Sequence, residues 1–285
     1  MTVLEGIQRS SEFLEKKGVD SPRLQSELIL AQILKMPRLK LYLNFERPLE
    51  ESQVQTLREY VRRRGTREPL QHILGSTNFC GLEFKVNRHV LIPRPETEGL
   101  AEQASKFLGS LAGPVTALDI GTGSGCLPVT LAHHCPVATV HAVDISPDAL
   151  ATARENAATH QVSDRITFHQ GDLLQPLPTD LAFDLIISNP PYIASAEIET
   201  LQPEVRDYDP RGALDGGADG LDFYRRLAAE AAARLKPHGK VMLEFGDGQA
   251  GAIQEIFRAH GWTVEALLED LSQRPRLLIV VPKPV

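Results

Sequence analysis

The chain reads as an α/β protein in which a small helical domain precedes a seven-stranded, mainly parallel sheet with helices on both faces. Three observations predict this. From about residue 97 onward, short apolar runs alternate with helix-length segments, the pattern of a parallel sheet. The first 75 residues carry apolar spacing of helical period. The last two strand-like runs, 262–267 and 276–281, are joined by a link too short for a parallel crossover, so that pair must be antiparallel.

Thr2 and Glu5 make a capping-box pattern ahead of Ile7, Phe13 and Leu14. Ser21-Pro22 has the form of an N-cap with proline at the first helical position, and Leu24, Leu28, Ala31, Ile33 and Leu34 follow at near-helical spacing. A third helix is expected over 50–64 with Gly65 after it. Arg62, Arg63 and Arg64 fall in its last turn, where they offset the helix dipole from a solvated face; a patch for nucleic acid or a partner is the other reading. Residues 79–86 alternate apolar and polar and read as a short β-hairpin. Strands are expected at 115–120, 138–143, 166–169, 183–188 and 240–245 before the final pair. Helices are expected at 147–160 and, rich in alanine, at 221–235. The expected domains are therefore 1–75, helical; 76–92, a hairpin link; and 93–285, the sheet domain. Seven strands with one reversed edge strand is a Rossmann-like arrangement.

A length of 285 residues suits two domains. With 42% hydrophobic and 24% charged residues, a sizeable core is possible and wholesale disorder is not expected. The first 90 residues are net +4 and the remainder net -11. An acidic larger part argues against nucleic acid as the direct substrate. Cys80, Cys126 and Cys135 form no CxxC pair, so neither a disulfide framework nor a metal site is expected. There is no signal-peptide pattern and no apolar run long enough for a bilayer, so no membrane association and a cytoplasmic location are expected.

Asp119-Ile120-Gly121-Thr122-Gly123-Ser124-Gly125 follows the first sheet strand and opens a helix. Its GxGxG spacing differs from the GxGxxG that cradles a pyrophosphate. Glycines let a ligand approach the main chain closely, and the acid ahead of them suits a cationic ligand such as S-adenosyl-L-methionine. Asp144, at the end of the second strand, can accept both ribose hydroxyls; Ser146-Pro147 already caps the next helix. Asp172 and Leu173 close the third strand, the first to accept an adenine amine, the second to cover the ring; a plain turn aspartate is the other reading. Asn189-Pro190-Pro191-Tyr192 follows the fourth strand. An amide nitrogen is a poor nucleophile because its lone pair is delocalised. The Asn189 side-chain oxygen and the Pro190 carbonyl can accept its two N–H bonds, the prolines stiffen the loop, and Tyr192 offers a flat face.

With these residues assembled, the chain resembles the protein-(glutamine-N5) methyltransferases that act on peptide release factors. The segment 91–98, with Arg94, Pro95, Glu96 and Thr97, looks like that family's signature, as do Gln71-His72-Ile73-Leu74-Gly75 and the run from Gly216 to Tyr224. The resemblance implies a class I methyltransferase fold and contact of Gly121 to Gly125, Asp144, Leu173 and Asn189 with S-adenosyl-L-methionine, the product being S-adenosyl-L-homocysteine. It implies that Asn189 to Tyr192 hold the glutamine of a Gly-Gly-Gln motif in class I release factors, over a floor shaped by Arg94 to Thr97. Arg94 could equally pair with a carboxylate and Thr97 cap a helix. Asp209 stands where the family usually has glutamate, and Pro128 where it usually has an aliphatic residue. The NPPY loop is shared with amino methyltransferases of DNA and RNA, which leaves adenine or guanine, or a glutamine of another protein, as alternative targets.

Overall fold

The computed structural model describes residues 1–270 and 272–283; positions 271, 284 and 285 of the expected 93–285 domain lie outside the described residues. The chain forms two compact units, Met1–Ser76 with Gln202–Tyr208, and Thr77–Leu201 with Asp209–Val285.

The first unit holds α1 (Val3–Lys16), α2 (Pro22–Ile33), α3 (Arg38–Leu41), α4 (Glu51–Gly65) and α5 (Leu70–Leu74). The capping box at its start forms: Glu5 N–H donates to Thr2 Oγ1 at 3.3 Å and Thr2 N–H to Glu5 Oε2 at 3.0 Å. Ser21 does not cap α2; it sits in the left-handed region (φ 49°) with no side-chain capping bond, and Pro22 alone sets the start. Apolar stripes of α1, α2 and α4 close over Ile7, Leu14, Ile29, Leu30, Leu57 and Val61. Each such side chain contributes about 1.5–3 kcal/mol on burial. Gly65 ends α4 instead of following it, and a Cβ there would lie 2.6 Å from the Phe13 ring. Arg64 is not solvated. It is buried and donates to Gln25 at 2.6 Å and to Glu204 at 2.8 Å, while Arg67 meets both oxygens of Glu204 at 2.6 and 2.7 Å. The returning segment, with a helical turn at Pro203–Arg206, is thereby part of the helical unit.

In the second unit, apart from Ser76 at its start, β1 (Ser76–Phe79) and β2 (Leu82–Lys85) pair around Cys80 and Gly81. Both turn residues have positive φ, as a two-residue hairpin requires. The hairpin is more than a link, because Phe79 and Phe84 are buried in the core of this unit. Then come α6 (Pro95–Ser110), β3 (Val115–Ile120), α7 (Cys126–His134), β4 (Ala138–Asp144), α8 (Pro147–Thr159), β5 (Ile166–Gln170), β6 (Phe183–Ser188), α9 (Asp222–Glu230), β7 (Leu235–Glu244), α10 (Ala250–Ala259), β8 (Trp262–Glu269) and β9 (Pro275–Pro282). The alanine-rich helix ends earlier than expected. A 3-10 turn at Ala231–Arg234 runs into β7, where Lys236 precedes Pro237, a position that disfavours helix.

The sheet order is β5-β4-β3-β6-β7-β9-β8. Every neighbouring pair is parallel except those of β9, which runs against both β7 and β8. The reversed strand is therefore not at the edge. The connection through α10 carries β8 two positions beyond β7, and β9 folds back into the gap. Alternate residues face opposite layers: Ala117, Leu185 and Met242 join one core, and Leu118, Ile186 and Val241 the other. Among the described residues, no helix is long and apolar enough to cross a membrane. From β3 the chain moves to β4 on one side and later to β6 on the other. Open α/β sheets bind ligands at such a switch point, outside the carboxyl ends of the strands.

Candidate active site

A cavity of about 610 Å³ opens at those carboxyl ends. Its wall includes Gly121, Gly123, Asp144, Asp172, Leu173, Asn189 and Pro191 from the residues singled out in the sequence. Asp119, Thr122, Ser124 and Gly125 are not on the wall; they form the base and back of the glycine loop.

The loop takes its shape from glycine. Gly121, Gly123 and Gly125 have φ of 75°, 53° and 79°, a region other residues seldom enter. A Cβ on Gly125 would lie 2.9 Å from Ala153 Cβ, so this glycine also lets α8 come close. Asp144 braces the loop from the next strand: Oδ2 accepts from Gly123 N–H at 2.8 Å and Oδ1 from Ser146 N–H at 2.9 Å. Ser146 caps α8, as expected, accepting from Ala149 N–H. Burial raises the Asp144 pKa against the pull of these main-chain bonds.

Beneath the loop, Asp119 is fully buried and neither carboxylate oxygen has a hydrogen-bond partner among the described residues. Burial, reinforced by the nearby Asp144, pushes its carboxyl up to about 7 against the opposing effect of Thr122. Asp172 meets Arg226 at 2.6 Å through Oδ2. Leu173 holds a positive φ of 50°, an unusual conformation for leucine, which turns the chain under the cavity.

The loop after β6 is held from several sides. Asn189 Nδ2 donates to Thr97 Oγ1 at 3.0 Å, which leaves Asn189 Oδ1 as the atom available to a ligand. Thr97 is thus a partner of Asn189, not a helix cap; α6 starts with no side-chain cap. Gln249 Nε2 donates to the Tyr192 carbonyl at 2.8 Å. Main-chain bonds join Ile193 to Leu214 and Gly216, and Ser195 to Gly217. Here glycine is a matter of space: a Cβ on Gly216 would lie 2.8 Å from the Pro191 carbonyl oxygen, and one on Gly220 2.3 Å from that of Tyr192. Pro190 and Tyr192 are not on this wall: Pro190 is buried, and Tyr192 is partly exposed, packed on one side against the second core.

Arg94 and Glu96 do not join this cavity. Arg94 pairs with Asp209 at 2.6 Å, and burial lifts Asp209 to about 6 in spite of that partner. Glu96 is exposed and lines a separate cavity beside α6. Phe223, from the run Gly216 to Tyr224 singled out in the sequence, lies on the wall; residues that the sequence did not mark include Ile145 on the wall, and Gln249 and Glu244 behind it. Ile145 could have been found, since it is an apolar residue placed between Asp144 and a helix cap.

Residues 5–75 match the PrmC N-terminal domain, and residues 101–203 the methyltransferase small domain. A release factor glutamine methyltransferase of Geobacter sulfurreducens is 46% identical over 261 residues, 92% of this chain and 90% of that protein. One of Caulobacter vibrioides is 38% identical over 286 residues, 100% of this chain and 98% of that protein. Among solved structures, a methyltransferase from Pyrococcus furiosus matches with a TM-score of 0.52 at 21% identity, covering 72% of this chain and 91% of that one, a likeness of fold.

Proposed function

The chain belongs to the release factor glutamine methyltransferase family, and on that premise we propose that it methylates the side-chain N5 nitrogen of the glutamine in the Gly-Gly-Gln motif of class I peptide chain release factors. The methyl donor is S-adenosyl-L-methionine and the product S-adenosyl-L-homocysteine. The observation that carries the reading is Asn189 on the cavity wall, its NH2 tied to Thr97 and its oxygen left to accept.

The wall residues fit the donor. Gly121 and Gly123 present bare backbone. Each Asp144 oxygen keeps a lone pair for a ribose hydroxyl after its main-chain bond. Asp172 has Oδ1 for the adenine amine, and Leu173 covers the ring. The unpaired Asp119, its carboxyl lifted to about 7 by burial, ionises more readily beside a cationic ligand and then attracts it from beneath the loop. When bound, S-adenosyl-L-methionine supplies an electrophilic methyl on a positive sulfur, which keeps the electron pair of the bond that breaks.

The protein's part is to position and polarise the target. Asn189 Oδ1 and the Pro190 carbonyl accept the two N–H bonds of the glutamine amide and favour a pyramidal nitrogen with its lone pair exposed. The proline pair and the bonds to Gln249 and Gly216 hold these acceptors still, so the nitrogen meets the methyl in attack geometry. Tyr192 stacks against the flat amide. As the new carbon–nitrogen bond forms, the nitrogen gives up a proton to water. Arg94 acts through Asp209 to set the loop that follows the active site, and Glu96, on a separate cavity, is left without a role in this one.

The test is co-expression with a class I release factor, followed by mass spectrometry of its peptides. One methyl group on one glutamine is expected, and none with Asn189→Ala. Methylation of DNA or RNA in parallel assays, with an unmodified release factor, would overturn the reading.

A further inference from the structure

Gln249 stands immediately before α10, at the position whose side chain ordinarily caps a helix. Among the described residues it makes no such cap. Its carboxamide joins three other segments instead. Oε1 accepts from Gly246 N–H at 2.9 Å, Nε2 donates to the Tyr192 carbonyl at 2.8 Å, and the Gly220 carbonyl lies 3.5 Å from the same nitrogen. Two glycines clear the space for it. A Cβ on Gly220 would lie 2.3 Å from the Tyr192 carbonyl oxygen and 2.7 Å from Gln249 Nε2. One on Gly246 would lie 2.9 Å from Gln249 Oε1 and 2.9 Å from Cδ2 of the Tyr192 ring.

The two ends of the carboxamide are not exchangeable. The Gly246 N–H needs an acceptor and the Tyr192 carbonyl needs a donor, so one orientation satisfies both. Gly246 is buried and follows Phe245, whose N–H donates to the Arg276 carbonyl of β9 at 3.0 Å. One end of the tether is therefore anchored to the sheet. The other end fixes the main chain of Tyr192, and the ring of that residue passes against Gly246. Gln249 is not on the cavity wall, so whatever it does for a bound substrate it does through its partners.

We propose, resting on the reading of Tyr192 as the flat face against the target amide, that Gln249 is a positioning residue. The N–H it donates holds Tyr192 in place and keeps the Gly220 segment beside it. Without that bond the Tyr192 carbonyl has no donor from the β7 side and the ring is free to shift. A displacement of about 1 Å is enough to spoil attack geometry, whereas the wall residues that fit the donor stay where they are.

Gln249→Glu keeps the length of the side chain and the acceptor for Gly246, but at about pH 8 it is ionised and has no proton for the Tyr192 carbonyl. In methyl transfer to a purified release factor, the full-length variant should lose about tenfold or more in kcat, and Gln249→Ala should behave alike. The Kd for S-adenosyl-L-homocysteine, measured by calorimetry on the same samples, should stay within about twofold, which also shows that they are folded. Wild-type kcat in both variants overturns the proposal. So does a loss of kcat matched by an equal loss of S-adenosyl-L-homocysteine affinity, the mark of a general disturbance. A second readout needs no turnover. The Tyr192 ring signals in the NMR spectrum of the S-adenosyl-L-homocysteine complex, assigned by their absence from Tyr192→Ala, should shift or broaden in Gln249→Glu; ring signals that stay unchanged overturn the tether. If the wild-type chain leaves the release factor unmodified, the substrate reading falls, and the ring signals still decide whether Gln249 sets Tyr192.

Discussion

At the scale of single residues, function rests on which atoms are already engaged. Asn189→Ala removes one of the two proposed acceptors and leaves the glycine loop, Asp144 and Asp172 in place. It should lower kcat by about 10²–10³-fold, as losing one preorganised hydrogen-bond partner does elsewhere. Affinity for S-adenosyl-L-homocysteine, measured by calorimetry, should change only modestly. Much of this site was readable from the sequence, because its parts are consecutive residues or fall at the ends of recognisable strands: Gly121 to Gly125, Asp144, Asn189 to Tyr192. The residues that hold those parts were not readable as such. Thr97 is 92 positions from Asn189, and Gln249 is 57 from Tyr192. No local period joins them, and only the packing of α6 and the end of β7 onto the β6 loop brings them together.

At the scale of elements, Asn156 shows how one side chain of α8 ties two others. Its Oδ1 accepts from Lys85 N–H at 2.8 Å, and its Nδ2 donates to the carbonyls of Lys85 at 3.0 Å and Ser124 at 2.8 Å. Asn156→Ala strips partners from β2 and from the glycine loop at once. Buried orphans of this kind cost about 1–3 kcal/mol each, so a loss of about 2–4 kcal/mol in denaturant unfolding is expected, together with weaker cofactor binding. Strand positions followed from apolar runs, since a strand buried on both faces is apolar throughout: all six residues of Phe183–Ser188 are buried. The place of β9 did not follow. A short link requires β8 and β9 to be antiparallel, yet it is silent on which of them touches β7, a choice made by the crossover through α10. Likewise Ser21-Pro22 has the residue types of a cap, while the actual backbone angles at Ser21 put the hydroxyl out of use.

For the whole molecule, the buried acids set the response to pH. Asp119 and Glu244 hold carboxyls lifted to about 7, and Asp209 to about 6. An unfolded chain ionises these groups near 4. Between about pH 4 and pH 7 the folded chain therefore binds more protons than the unfolded one, and these residues make stability fall as pH rises. Glu27, Glu204 and Asp184 act the other way: burial opposes ionisation there, but their hydrogen-bonding partners prevail and lower the pKa, so their contribution is lost as pH falls. Asp119→Asn isolates one term. It should match the wild type near pH 4 and exceed it by about 1–4 kcal/mol at pH 8 in ligand-free unfolding. Equal stabilities at both pH values would mean that Asp119 is not held protonated. The return of Gln202–Tyr208 into the helical unit has a consequence for dissection of the gene. That unit is encoded in two separate stretches, so a chimaera made at a single junction near residue 76 exchanges only part of it. Arg64, with 5% of its side chain exposed, would be stranded from Glu204 unless the second stretch travelled with it. Grafting this module onto another scaffold requires three cuts in the reading frame, not one.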